Sequence, residues 1–339
     1  MSAHPLDVLC VGHASYDLVF SVPHHPGADE KIVADDLLGC GGGPAANAAV
    51  TVAKLGGKAG FCGYLGNDVY GDSHMRELQE HSVDIQFVVR GTSPTPLSTV
   101  LVKPNGQRAL INYKGQTSPL PATAIDFDGL QAKVLLFDGH EPDISLRLLN
   151  QLLTRRSNTV RPEPVEGPAT AGFDQLSPNG IPASRSGLIA SPIPTVLDAG
   201  SLHDGTLALM DKVEYLVCSE KFAVQYAGDE NLALAKLAQV APVVVITLGE
   251  RGLIWQRGQE RGSLNAPPIV AIDTTGAGDA FHGAFAAGLA KGLNWIDLLR
   301  YASVAGAFCC SRMGARSGLS SLSEHQKLLA SWSVNGESE

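Results

Sequence analysis

Short, mostly apolar runs alternate along this chain with stretches of helical period, and that alternation limits the fold more than any other feature. The runs are Val8–Gly12, Ala59–Tyr64, Val134–Asp138, Thr195–Asp198, Tyr215–Cys218 and Val243–Leu248. Between them lie the helical stretches Ala45–Leu55, Ser73–His81, Ile144–Thr154 and Asn231–Gln239. Continuous apolar runs this short suit strands covered on both faces, and parallel strands need helical crossovers. The pattern predicts an α/β fold with a mostly parallel sheet between helical layers. Leu18–Val22 with Lys31–Leu38, and Leu97–Lys103 with Gln107–Tyr113, read instead as half-exposed strands off the main sheet. The second pair turns at Pro104-Asn105-Gly106, where Asn-Gly accepts positive φ. Together these strands predict a small lid or dimerisation platform over about residues 18–38 and 97–115.

Residues 1–332 are expected to form a single domain, within the size range of one large α/β unit. The stretch 157–190 carries Pro162, Pro164, Pro168, Pro178 and Pro182 and no apolar period, so it reads as a mobile surface insertion. Residues 333–339 read as a fraying tail. A net charge of −9 argues against sequence-independent nucleic-acid binding, which needs a basic stripe. No apolar run approaches the roughly 18 residues of a membrane span. The first 20 residues lack a basic segment followed by a continuous apolar one. The six cysteines show no C-x-x-C pair, and reduced thiols in a cytoplasm are the plain expectation.

The strongest chemical signal is Asp273-Thr274-Thr275-Gly276-Ala277-Gly278-Asp279, followed by a stretch in which Phe281, Phe285 and Leu289 recur every four residues. That period predicts a helix whose mouth is Gly276-Ala277-Gly278. Unpaired amides and the helix dipole there suit an anion. Asp279, in the first turn, can take a hydroxyl proton while the amides of Gly276, Ala277 and Gly278 stabilise a transferring phosphoryl group. The dipole should also lower the pKa of Asp279, leaving a modest base.

The second signal is Gly41-Gly42-Gly43-Pro44-Ala45-Ala46-Asn47. Its glycines allow close backbone approach, Pro44 opens a helix, and Asn47 offers a donor and an acceptor to polyol hydroxyls. A dinucleotide loop is disfavoured because Asp35–Cys40 before it is not a buried strand. Walker A, zinc-protease and G-x-S-x-G patterns are absent. Asp17 follows the first strand at its carboxyl end, where open α/β sheets bind ligands and where a carboxylate can clamp two hydroxyls. Thr247–Gly252 makes a tight turn after another strand and suits a nucleotide.

Taken together, Gly41–Gly57 and Ile272–Gly288 resemble the two signatures of the ribokinase-like (PfkB) carbohydrate kinase family, over roughly residues 6–330. The resemblance implies a three-layer fold with a small β-sheet lid that often pairs between subunits. It implies an ATP-dependent kinase that phosphorylates a primary hydroxyl of a sugar with Mg²⁺. By position, Asp279 would be the base, with Asp17, Gly42, Gly43 and Asn47 holding the sugar. Ser219, Thr247, Gly249, Gly252 and Ser303 would line ATP. A monovalent cation such as K⁺ would map to Asp273, Thr275, Arg312 and Gly314. The family's N-x-x-E motif, associated with Mg²⁺, reads Ser219-Glu220-Lys221-Phe222 and lacks its glutamate.

Within the family, Gly41–Ala49, Arg108–Tyr113 and Cys310–Gly318 look most like sulfofructose kinases. Lys31 and Asn112 then fall where such enzymes hold the sulfonate, whereas their arginine reads His140 here. His140, or Glu141 beside it, would instead contact a neutral sugar such as fructose. The expected acceptor is thus sulfofructose or a fructose-like ketose, with ribose, ketodeoxygluconate or a nucleoside as alternatives within the fold. Outside this class stand a catalytically silent sugar or nucleotide sensor and a nicotinamide-dependent oxidoreductase. The expected partners are a small sugar and a second copy of the chain, with no nucleic acid and no membrane.

Overall fold

The computed structural model describes residues 5–159 and 193–332. The expected insertion therefore lies outside the described residues apart from 157–159, which prolong a helix, and the 333–339 tail lies outside them altogether. The first half runs β1 (Leu6–Val11), β2 (Ser15–Ser21), β3 (Asp36–Gly42), α1 (Pro44–Lys54), β4 (Ala59–Gly66), α2 (Val69–Glu80), β5 (Asp84–Gly91), β6 (Leu97–Val102) and β7 (Arg108–Tyr113). It continues with β8 (Ala132–Phe137), α3 (Pro142–Thr159), β9 (Thr195–Ala199), α4 (Asp204–Leu209), β10 (Tyr215–Ser219), α5 (Glu220–Ala227) and α6 (Glu230–Leu237). The last part comprises β11 (Val243–Thr247), β12 (Leu253–Arg257), β13 (Glu260–Leu264), α7 (Ala277–Ala290), α8 (Trp295–Cys309) and α9 (Leu322–Ser331).

The main sheet has nine strands in the order β13-β12-β11-β10-β9-β8-β1-β4-β5. All its pairings are parallel except the two made by β12, which folds back on β11 and carries β13 at the edge. Alternate residues of each central strand face opposite helical layers, as the pleat requires. Val8, Cys10, Leu136, Val217 and Val245 pack with α1, α7 and α8. Leu9, Val11, Phe137, Leu216 and Ile246 pack with α3, α5 and α6. No helix among the described residues is long and apolar enough to cross a membrane.

The expected lid is a separate four-stranded sheet, ordered β3-β2-β6-β7. The pair β2–β6 is parallel and the other two pairs are antiparallel. The turn at Asn105-Gly106 forms as expected, with Gly106 at φ 77° and its N–H on the Lys103 carbonyl at 2.9 Å. The lid boundaries differ: its first strand begins at Ser15 rather than Leu18, which brings Asp17 into that strand. The third strand begins at Asp36 rather than Lys31 and runs on through Gly39–Gly42, so Lys31 lies in the exposed loop before it. Glycines weaken strand propensity, but here they admit side chains from neighbouring elements. A Cβ on Gly42 would lie 2.3 Å from the Asp17 carboxylate, and one on Gly41 would lie 2.4 Å from the His74 ring.

The crossing of α1 and α7 sets the geometry of everything below. A Cβ on Gly283 would come 2.6 Å from the Ala48 carbonyl, so these backbones nearly touch. Pro44 stands at the start of α1 after Gly43, which has φ 92°. One turn into α1, Asn47 thereby meets the first turn of α7.

Candidate active site

Asp279 lies half-buried at the mouth of α7, and Asn47 Nδ2 donates to its Oδ2 at 2.6 Å. The other end of the same amide, Oδ1, accepts from Arg316 Nε at 2.7 Å. Arg316 is buried; its Nη2 meets His74 Nε2 at 2.9 Å and its Nη1 lies 3.6 Å from Glu77 Oε1. A line of acid, amide and guanidinium thus runs from α7 through α1 to α2. Arg316 belongs to no motif and was missed in the sequence; its only signal was its place in the Cys310–Gly318 stretch.

The expected lowering of Asp279 is corrected. Burial raises its pKa above the ordinary aspartate value, opposed by the Asn47 hydrogen bond, then by His282, while Asp138 adds to the rise and Arg316 opposes it. Taking the charged carboxylate out of water outweighs the favourable partners.

The lid presents a second carboxylate. Its register places Cys40, Asp17, Ser98 and Asn112 in one row across all four strands, and residues paired in this way share a face of the sheet. Asp17 is buried and accepts from Ser15 Oγ at 2.9 Å and from the Ser98 side chain. Burial pushes its pKa up, while Ser15, Ser98 and Arg316 pull it down and Asp279 pushes it further up. The structure therefore brings together Asp17, Gly42, Gly43, Asn47 and Asp279, and sets Asn112 on Asp17's side of the lid. Ser98 was not legible in sequence, since only strand register reveals it.

At the helix mouth, Gly276 takes φ 76°, and among the described residues nothing accepts the N–H groups of Gly276, Gly278 or Asp279. Ala277 differs from expectation: its N–H turns to the Thr274 carbonyl at 3.3 Å. The open donors are therefore those of Gly276, Gly278 and Asp279 itself.

The residues expected to hold a monovalent cation come together only in part. Asp273 Oδ1 accepts from the N–H and Oγ of Thr275 at 2.9 and 2.6 Å, and Oδ2 accepts from Gly314 N–H at 2.7 Å. The Arg312 guanidinium turns away to Glu324 at 2.9 Å. Arg108 from the lid instead donates to Thr275 Oγ1 and lies 4.0 Å from Asp273 Oδ1. Asp273 is thus served by internal donors and a neighbouring guanidinium, and these side chains do not fit K⁺.

On the nucleotide side, Ser219 and Thr247 are neighbours at the ends of β10 and β11. Ser219 Oγ caps α5 by accepting from Phe222 N–H at 3.0 Å. Gly249 and Gly252 bound a tight turn with φ 60° and 85°. A Cβ on Gly252 would lie 2.0 Å from the Leu264 carbonyl, so glycine is obligatory there. Ser303 is buried within α8. Phe222 packs wholly inside the core against Tyr226, and Glu220 pairs with Arg251 at 2.9 Å, so the Ser219–Phe222 segment does not fit a divalent ion.

Asp138 closes the floor. It is buried beyond the end of β8 and accepts three N–H groups, from His13 at 2.7 Å, Ala45 at 3.2 Å and His140 at 2.9 Å. His140 lies between His13 and His203, tilted against the first and stacked on the second, with ring centroids 5.2 and 4.6 Å away. Burial, then the neighbouring His140, depresses His13 to about 4, and the same two causes lower His203. Glu141, expected as the alternative sugar contact, is instead engaged inside the protein. It is buried and accepts from Leu120 N–H at 2.5 Å. An open cavity of about 430 Å³ is lined by Gly39, Cys40, Lys54, Arg76, Glu77 and Arg316, and Asp279 is not part of its wall.

The chain matches the sequence profile of the pfkB family carbohydrate kinase over residues 5–163 and 192–322. It is 27% identical over 335 residues to the ribokinase of Lactococcus lactis subsp. lactis, covering 97% of this chain and 98% of that protein. It is 30% identical over 259 residues to the fructokinase of Klebsiella pneumoniae, covering 75% and 78%. Among solved structures it superposes on the ribokinase of Thermotoga maritima with a TM-score of 0.75 at 24% identity, covering 96% of this chain and 99% of the other. The Arabidopsis thaliana ribokinase complexed with ribose and ATP gives a TM-score of 0.75 at 22% identity, covering 97% and 100%.

Proposed function

The chain belongs to the pfkB family of carbohydrate kinases, and from that premise we propose that it moves the γ-phosphoryl group of ATP to a primary hydroxyl of a fructose-like ketose. The observation that carries this reading is the half-buried Asp279, held by Asn47 beside the open amides of α7. In the reaction the sugar hydroxyl gives its proton to Asp279, its oxygen forms the new bond to phosphorus, and ADP leaves. Because such transition states are loose, the protein mainly positions the reactants and receives charge. The N–H groups of Gly276, Gly278 and Asp279 donate to the phosphoryl oxygens. Raised by burial, Asp279 is a stronger base than a free aspartate.

Asp17 and Asn112 would bind sugar hydroxyls from the lid, and Gly42, Gly43 and Asn47 from below. Ser219, Thr247, Gly249, Gly252 and Ser303 would border ATP, and Mg²⁺ would arrive bound to its phosphates. Choice of acceptor turns on His140. Its neighbours His13 and His203 are depressed by burial, which favours hydroxyls over a fixed anion. A second reading, sulfofructose, is favoured by Lys114, whose charge reaches both His13 and His203. An ATP-consumption assay with fructose, sulfofructose, ribose, ketodeoxygluconate and adenosine tests both. Turnover of fructose is expected, turnover of sulfofructose alone selects the second reading, and turnover of none sinks both.

The outer face of the lid carries Leu37, Ile111 and Tyr113 at 54%, 67% and 54% exposure. We assign to it the pairing of two copies of the chain.

A further inference from the structure

His282 lies one turn beyond Asp279 on α7, is buried, and has no place in the mechanism above. Its Nδ1 lies 2.6 Å from the Gly278 carbonyl and 3.1 Å from Asp198 Oδ2, and its Nε2 lies 3.1 Å from the Val217 carbonyl. Every atom facing this ring within hydrogen-bond range is an oxygen, and the two carbonyls, one at each nitrogen, can only accept. A ring with one proton would leave a nitrogen lone pair pressed against an oxygen lone pair in a buried place, which native structures avoid. A ring with a proton on each nitrogen satisfies all three contacts, and Asp198, itself buried, supplies the counter-charge.

We propose that His282 is a positioning residue: an imidazolium, paired with Asp198, that fixes the Gly278–Asp279 peptide and lends positive charge to the phosphate-facing end of α7. The connection is short. The carbonyl that accepts from His282 belongs to the same peptide group as the Asp279 N–H, one of the open donors at the helix mouth. Hydrogen bonds in series polarise one another, so a cationic donor on the carbonyl strengthens the N–H as a donor to phosphate. The same charge bears on the Asp279 carboxylate and opposes its protonation. Besides each other, Asp198 on β9 and His282 face Asp279 and Asp138 from beyond β8, while Arg316 from the segment after α8 acts on Asp279. Burial pushes Asp198 up, and His282 beside it pulls it down.

This inference rests on the phosphoryl-transfer reading, and its two tests separate the failures. The first is ¹H–¹⁵N correlation NMR of the full-length, unliganded chain at neutral pH, which counts the protons on the buried ring. Two bonded protons are expected; a single one overturns the imidazolium whatever the enzyme does. The second is the pH profile of kcat. His282→Asn keeps one donor but removes the charge, so Asp279 should protonate more easily. The acid limb should then move to higher pH by about one unit. The plateau should fall about tenfold, with the sugar KM within about twofold. An unmoved limb, or a loss of kcat that only follows a lowered melting temperature, overturns the positioning role. If no sugar is turned over by the parent enzyme, the kinase reading fails and the ring spectrum alone decides.

Discussion

At Asp279 two local effects oppose each other. A carboxylate in the first turn of a helix is favoured by the dipole, whereas enclosure by protein disfavours its charge, and here enclosure prevails. The consequence is a pH dependence of known sign. The base must be ionised to act, and its folded pKa is raised, so kcat/KM should fall with acid at a higher pH than a free aspartate allows. A pH–rate profile whose acid limb lies at or below the ordinary aspartate range would contradict this. Asp279→Asn should cut kcat by about 10²–10⁴ while ATP affinity, read by calorimetry, changes little. Gly42→Ala places a methyl 2.3 Å from the Asp17 carboxylate and should raise the sugar KM by about tenfold or more. Both residues were readable from sequence, since each sits in a dense local pattern. Arg316, Asp138 and Ser98 were not. Their partners lie 269, 125 and 81 positions away in Asn47, His13 and Asp17 respectively, and only the folded chain puts them together.

Among the elements, the legible ones were those whose burial covers both faces. The strands β1, β4, β8, β9, β10 and β11 appear close to their expected bounds because continuous apolar runs mark them. The edge strands β5 and β13 escaped notice: Asp84–Gly91 breaks its apolar residues with Asp84, Gln86 and Arg90, Glu260–Leu264 is largely polar, and their pairing is decided by neighbours rather than by their own composition. Helix α8, Trp295–Cys309, was not among the expected helical stretches. The contact between α1 and α7 carries its own prediction. Gly283→Ala must push a methyl against the Ala48 carbonyl, now 2.6 Å from that point. Overpacking of this kind costs about 1–3 kcal/mol, measurable by denaturant unfolding. It should also lower kcat, because the same displacement parts Asn47 from Asp279; a destabilised variant of unchanged kcat would show that their spacing is not critical.

On the scale of the whole molecule, the lid has two faces with different tasks. One carries the row from Cys40 to Asn112, and the other leaves Leu37, Ile111 and Tyr113 open to solvent. Ile111→Lys should leave the fold intact and shift the chain to a monomer in sedimentation velocity. A parent chain that is already monomeric would remove the assignment. Sequence gave notice of the lid through its hairpin turn but not of its mixed pairing, because nothing local distinguishes a parallel from an antiparallel neighbour.

Asn47 has a consequence for how such a site can change over generations. Its amide is asymmetric, with a giving end toward Asp279 and a taking end toward Arg316. It works as a polarised coupling, so neither charged neighbour can reverse sign while the coupling stays. A carboxylate in its place would repel the acid, and an apolar side chain would strand both. Any lineage that rewrites one of these three positions has to rewrite the others with it, so a change at Arg316, remote from the bond being made, is as confined as a change at the base.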